Sequence, residues 1–151
     1  MAFDHDFKRF PELTNEQLND LRFMSPHIQI EEDFYANVEK VHDGDTITLR
    51  VDFRDFSFPL RFDGIDAPEL NAGGDKAKEW LKSRLEGRDV TILINRENRV
   101  GKYGRLIGRV LSNGMDVGDE MLRLGLVNSF ELRRETDLPK IEQIYSVEQW
   151  F

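Results

Sequence analysis

The sequence predicts an α+β fold, mainly β, on three observations. Between Phe34 and Phe62 the chain is rich in strand-forming residues, ending in the strict alternation Phe56, Phe58, Leu60, Phe62 opposite Ser57, Pro59 and Arg61. The pairs Asp43-Gly44 and Asn113-Gly114 are hairpin turn signals. Two segments, Asp75 to Gly87 and Gly118 to Leu124, carry helical patterns, and each ends at a glycine that stops it, Gly87 and Gly125. Three strands, a helix, two strands and a further helix are compatible with a small closed or partly open barrel such as the OB-fold.

Taken in order, residues 1–33 form an N-terminal extension. Thr14 with Gln17 three places on makes a capping box for a short helix around 15–22, and Pro26 and Glu31-Glu32-Asp33 break any regular pattern. The apolar residues Phe7, Phe10, Leu13, Leu18, Leu21, Phe23 and Met24 are numerous enough to pack on the body, and they also offer a surface to a protein partner. The body, 34–151, starts with strands Phe34 to Val41 and Thr46 to Val51 around Asp43-Gly44. A second hairpin near Asp52 to Asp55 leads into the alternating strand, so the first three strands form a meander. In the first helix Ala77, Trp80, Leu81 and Leu85 make one apolar stripe. Val90 to Ile94 and Leu106 to Leu111 are the remaining strands.

At 151 residues with 39% hydrophobic and 33% charged residues, the chain suits one soluble domain with a real core, expected to be a monomer. No apolar run approaches the roughly 20 residues that span a bilayer, and the acidic start shows no signal-peptide core. A soluble protein away from membranes is expected, either cytoplasmic or a mature secreted form. Without cysteine there is no disulfide or thiolate site, so any metal must sit on oxygen or on His5, His27 or His42. The net charge of −8 opposes binding to a polyanion, but its distribution is uneven. Residues 1–45 hold eleven acids against four bases, whereas 46–151 hold eighteen against seventeen. Within the second part Arg96, Arg99, Lys102, Arg105 and Arg109 fall in one stretch opposed only by Glu97, a local basic site or a solvated loop and strand face.

Two short segments concentrate ionisable residues, Asp43-Gly44-Asp45-Thr46 and Arg61-Phe62-Asp63-Gly64-Ile65-Asp66-Ala67-Pro68-Glu69. Singly, each reads as a turn whose carboxylates satisfy nearby N–H groups. Together, Asp45, Asp66 and Glu69 supply the hard oxygens that Ca²⁺ or Mg²⁺ requires, with no imidazole beside them, and Arg61 supplies a guanidinium fork suited to phosphate. Phosphoryl chemistry uses this mixture: a cation neutralises a phosphate oxygen, arginines stabilise the charge of the transition state, and a carboxylate orients or deprotonates water.

These strings, followed by Lys102-Tyr103-Gly104-Arg105 and a likeness running from Gly114 to Leu126, resemble the staphylococcal nuclease (thermonuclease) family in order and spacing over residues 36 to 128. The resemblance implies a five-stranded OB-fold Greek-key barrel with two to three helices. It implies a Ca²⁺-dependent nuclease, with Mg²⁺ or Mn²⁺ as alternatives and endo or exo cleavage left open, in which a metal-associated water attacks the scissile phosphate of DNA or RNA. Carried over, Asp45 and Asp66 resemble the carboxylate metal ligands, with Ala67 lending its backbone carbonyl. Glu69 resembles the general base, near the metal through water. Arg61 and Arg105 look like the pair that grips the phosphate, Arg105 also helping the leaving group. Lys102 and Tyr103 match residues near a terminal phosphate.

The departures concern the periphery. The short Leu70 to Gly74 loop replaces a lysine-rich one, and Phe130, Glu131 and Arg133 fall near the family's tyrosine positions, so weak, salt-sensitive binding is expected. The competing expectation is a catalytically silent module of the same fold that binds nucleic acid or protein. Such a module has no use for the carboxylates and arginines kept here.

Overall fold

The computed structural model describes residues 5–101 and 104–129. Lys102, Tyr103, Phe130, Glu131 and Arg133 therefore lie outside the described residues. The elements in order are α1 (Asn15–Leu21), β1 (Phe34–Asp43), β2 (Thr46–Arg50), β3 (Phe58–Phe62), β4 (Ile65–Asp66), α2 (Gly74–Leu85), β5 (Asp89–Leu93), β6 (Leu106–Ser112), β7 (Met115–Asp116), α3 (Val117–Arg123) and β8 (Asn128–Ser129).

β1, β2 and β3 form the expected antiparallel meander. β1 pairs on its other edge with β5, and β5 with β6. A parallel pairing of β3 with β6, Leu60 beside Leu106 and Phe62 beside Gly108, then closes five strands into the OB-fold barrel. A strand of ten residues can serve two neighbours only by bending, and β1 shows irregular register between Val38 and Lys40 and again between Val41 and Asp43.

The alternation read from sequence fills the barrel. Phe58, Leu60 and Phe62 point inward with Val38, Ile47, Leu49, Ile92 and Val110, all buried, while Pro59 and Arg61 face out. α2 lays Ala77, Leu81 and Leu85 on this core, and α3 adds Val117 and Met121. Burying a large aliphatic or aromatic side chain contributes about 1.5–3 kcal/mol, so these positions dominate the fold's stability.

Boundaries shift where side chains intervene. Asp43 is the last residue of β1, paired with Thr46, and the two turn residues are Gly44 and Asp45, one place later than the Asp43-Gly44 pair expected. The Asp43 carboxylate accepts the Asp45 N–H at 3.1 Å and so closes the turn itself. The β4 and β8 ladder, Ile65 with Ser129 and Asp66 with Asn128, was not foreseen, because two-residue strands have no periodicity to detect.

In the extension, the Thr14 hydroxyl accepts from Gln17 N–H at 3.2 Å and the Gln17 amide oxygen accepts from Thr14 N–H at 3.0 Å, the reciprocal cap read from sequence. Leu13, Leu18 and Leu21 form a second small core with Phe7. Glu12, 2% exposed, enters the protein between Arg54, from the loop 51–57, and Arg99, from the loop after β5. Phe23 and Ile28 remain exposed.

Candidate active site

The hairpin between β1 and β2, the outer face of β3, β4 and the segment behind it converge at one end of the barrel. Gly44 is where they meet most closely. A Cβ there would lie 2.7 Å from the Ala77 Cβ on α2 and 3.0 Å from the Ala67 Cβ, so only glycine lets the turn press against both. That contact carries Asp45 into reach of the next segment. Its carboxylate, in a residue only 8% exposed, accepts the Ala67 N–H at 2.9 Å and the Thr46 hydroxyl at 3.0 Å.

Arg61 lies beside Thr46 in the β2 and β3 register. Its guanidinium spans the site, with Nη1 at 3.4 Å from Asp45 Oδ2 and Nη2 at 3.3 Å from Asp66 Oδ1. Nη1 also donates to the carbonyls of Ile65 at 3.0 Å and Phe62 at 3.3 Å, which holds the planar group in place. Arg105 reaches the same point from the start of β6, Nη1 donating to Thr46 Oγ1 at 3.4 Å. Thr46 therefore links the second arginine to Asp45, a role its position in the motif alone did not reveal.

The structure thus joins Asp45, Arg61, Asp66 and the main chain of Ala67 directly, and Arg105 through Thr46. Glu69 has an exposed side chain, and its place is fixed through its carbonyl, which accepts from Ala72 N–H and Gly74 N–H, each at 2.9 Å.

Electrostatics separate the two carboxyls of the hairpin. Burial, then the hydrogen bond with Asp45, raises the Asp43 carboxyl above the usual carboxylate range. For Asp45 burial pushes the same way, but the hydrogen bonds from Asp43 and the Ala67 N–H, together with Arg61, hold it below that range. The oxygens of Asp45 and Asp66 fit a hard divalent ion in kind. In the arrangement seen, Arg61 takes the bridging place, and among the described residues no three His, Asp or Glu side chains are gathered closely enough to hold an ion.

Of the local basic site expected from Arg96, Arg99, Lys102, Arg105 and Arg109, Lys102 lies outside the described residues and three of the arginines are turned to acids. Arg99 is buried at 2% against Glu12. Arg109 donates to Asp116 at 2.7 Å, and Arg96 lies 3.7 Å from Glu32. Among the described residues of the stretch, Arg105 faces the carboxylates, because strand alternation and the extension divert the other arginines inward or onto acids.

A family model of staphylococcal nuclease homologues matches residues 59–150. The chain belongs to that family. The match begins inside β3, so the Asp45 hairpin precedes it and joins the family segment through the β2 and β3 pairing. The chain is also 29% identical, over 122 residues, to a probable endonuclease lcl3 of Penicillium rubens, covering 69% of this chain and 41% of that protein. It is 32% identical over 100 residues to a probable endonuclease LCL3 of Pyricularia oryzae, covering 59% and 38%. Over 70 residues it is 37% identical to the staphylococcal-like nuclease CAN1 of Arabidopsis thaliana, covering 46% and 21%. It therefore spans about two fifths or less of the length of these curated relatives. Among the described residues no helix is long and apolar enough to cross a membrane.

Proposed function

We propose that this chain is a metal-dependent nuclease that hydrolyses phosphodiester bonds in DNA or RNA. The observation that carries the reading is the alternation of charge at one barrel end: Arg61 between Asp45 and Asp66, with Arg105 converging through Thr46. Membership of the family and likeness to proteins named probable endonucleases support the same class of reaction. Asp45, Asp66 and the Ala67 carbonyl would hold Ca²⁺, with Mg²⁺ or Mn²⁺ as alternatives, and such an ion neutralises a phosphate oxygen and makes a nearby water more acidic.

The protein's own groups do the rest. Arg61 and Arg105 donate to the non-bridging phosphate oxygens and follow their growing charge, a fixed arrangement that requires little reorganisation. Glu69, exposed to solvent, orients a water and takes its proton as the water oxygen bonds to phosphorus. The opposite ester bond breaks with its electron pair, and that oxygen, stabilised by an Arg105 N–H, takes a proton from solvent. Lys102 and Tyr103, beside Arg105 in sequence, are assigned to a terminal phosphate.

The test is digestion of single-stranded DNA, duplex DNA and RNA by purified protein in Ca²⁺, in Mg²⁺, in Mn²⁺ and in chelator. Metal-dependent cleavage that Glu69→Gln and Arg105→Ala each reduce, with substrate binding kept, supports the reading. No metal-dependent cleavage of any of the three, with no calorimetric Ca²⁺ binding, refutes it in favour of a silent binding module.

A further inference from the structure

Of the arginines that sequence offers as a nucleic-acid surface, Arg99 is buried and Arg96, still exposed, is held by the extension, and the way they are used bears on Arg105. The loop between β5 and β6 delivers that residue to the site. At its base Arg99 donates to Ile30 O at 2.7 Å, Glu12 Oε1 at 2.8 Å, and Leu13 O and Asn15 Oδ1 at 3.0 Å each. Asn15 also donates from Nδ2 to Arg96 O at 2.8 Å, and Arg96 Nε donates to Glu31 O at 3.1 Å. Near the loop's far end Gly104, with φ at +78°, packs so closely on Phe10 that a Cβ would stand 2.8 Å from its Cδ1. All these partners belong to the segment ahead of β1.

The loop is narrow in itself. Ile107 N–H donates to Arg99 O at 2.7 Å, Gly101 N–H to Arg105 O at 2.8 Å, and Gly104 N–H to Gly101 O at 2.9 Å. The main chain that carries Arg105 is therefore fixed twice, by its own hairpin and by the extension behind it. Leu13, Leu18 and Leu21 already give the extension an apolar reason to pack. Burying Glu12 and Arg99 costs desolvation that apolar packing avoids. What the polar contacts add is a defined position for this loop.

A long arginine side chain aids a reaction to the extent that its Cα is held, since misplacement by about 1 Å can cost on the order of 100-fold in rate. We infer that Phe10 to Asn15 form a clamp that positions Arg105, with Phe10, Glu12 and Asn15 acting through Arg96, Arg99 and Gly104 and not on substrate. The effect on turnover rests on the nuclease reading above; the effect on the loop does not.

The experiment uses the full chain with Phe10→Ala, Asn15→Ala, which takes one neutral acceptor from Arg99 and leaves the Glu12 pair in place, and Phe10→Leu as the conservative control. Hydrogen exchange at the Gly101 and Ile107 amides is measured beside steady-state cleavage of single-stranded DNA, at a temperature where every variant is folded. The clamp requires exchange at these two amides to rise about tenfold or more in Phe10→Ala and Asn15→Ala, with the β1 and β2 amides unchanged. It further requires kcat to fall about 10- to 100-fold while KM moves less than about twofold, and Phe10→Leu to recover most of the loss. If the parent cleaves but kcat in both alanine variants stays within about twofold of it, the inference is overturned. A parent that cleaves neither DNA nor RNA defeats the nuclease reading instead, and the exchange measurement alone then decides the clamp: unchanged amides overturn it, faster ones uphold it.

Discussion

Glu12 offers the most demanding test of how the extension is joined to the barrel. Its two carboxylate oxygens meet Arg99 Nη2 and Arg54 Nη2, with side-chain exposures of 1%, 1% and 0% in that order, and Oε1 also accepts the Ile30 N–H at 2.9 Å. Glu12→Gln keeps the shape and one acceptor oxygen but removes the charge, leaving two guanidinium groups buried without a counterion. Breaking a buried pair in this way costs about 3–5 kcal/mol, a large part of the 5–15 kcal/mol that holds a domain together. Arg54→Met is the informative comparison. The cluster holds two cations for one carboxylate, and Arg54 Nε and Nη1 are buried without a hydrogen-bond partner among the described residues. Its removal leaves a balanced Glu12 and Arg99 pair and gives up the bond to Ile28 O at 2.9 Å and the stacking on Phe58 at 4.7 Å, together about 1–2 kcal/mol. Urea denaturation of the parent and both variants measures the order directly. A loss below about 1 kcal/mol in Glu12→Gln, or a larger loss in Arg54→Met, would refute the reasoning.

Three further outcomes are expected of the same molecule. Burial, then the Arg54 charge, lowers the His27 pKa against the pull of Ile28 O and Glu12, so the unfolded chain binds that proton first. Stability should therefore fall as pH drops below about 6.5 and level off beneath the folded pKa, and His27→Gln should lose less than the parent between about pH 7.5 and 5.5; equal losses in urea melts would contradict this. Gly44→Ala drives a Cβ toward Ala77 and Ala67, which should cost about 1–3 kcal/mol in a thermal or urea melt, and a variant as stable as the parent would show that the turn does not press there. With Arg96, Arg99 and Arg109 facing acids, Arg61, Arg105 and Lys102 are the cations the proposed function gives to substrate, so single-stranded DNA binding should show a log–log salt slope of about −2, read by anisotropy titration; a slope of about −4 would mean the paired arginines are released.

Elements with strong periodicity were legible from residues alone. The alternation over Phe58–Phe62, the apolar stripe of α2 and the Thr14 capping box each specify local geometry with little tertiary help. Asp45, Arg61 and Asp66 were legible as a site because short motifs with unusual charge repeat the order of a known family. What escaped was decided by distant partners. Nothing marks Glu12 among eleven acids in residues 1–45 as the most deeply buried of those described, and nothing in Arg99 says that it faces inward to the extension while Arg105 faces the carboxylates. The turn at Gly44-Asp45 moved by one residue because the Asp43 side chain, not the main chain alone, closes it.

The parallel pairing of β3 with β6 gives assembly of the site an order in time. Asp45, Thr46 and Arg61 come together within the β1 to β3 meander, over separations of fewer than about 20 residues, while Arg105 must be brought across about 60 residues to reach Thr46. Short-range pairings can form before the loop-closure cost of the long one is met. Half of the proposed phosphate clamp is thus a product of the first hairpins, and the other half arrives with the last seam of the barrel. In refolding, the proposed activity would wait on that seam, trailing the recovery of the meander that already holds Asp45 and Arg61.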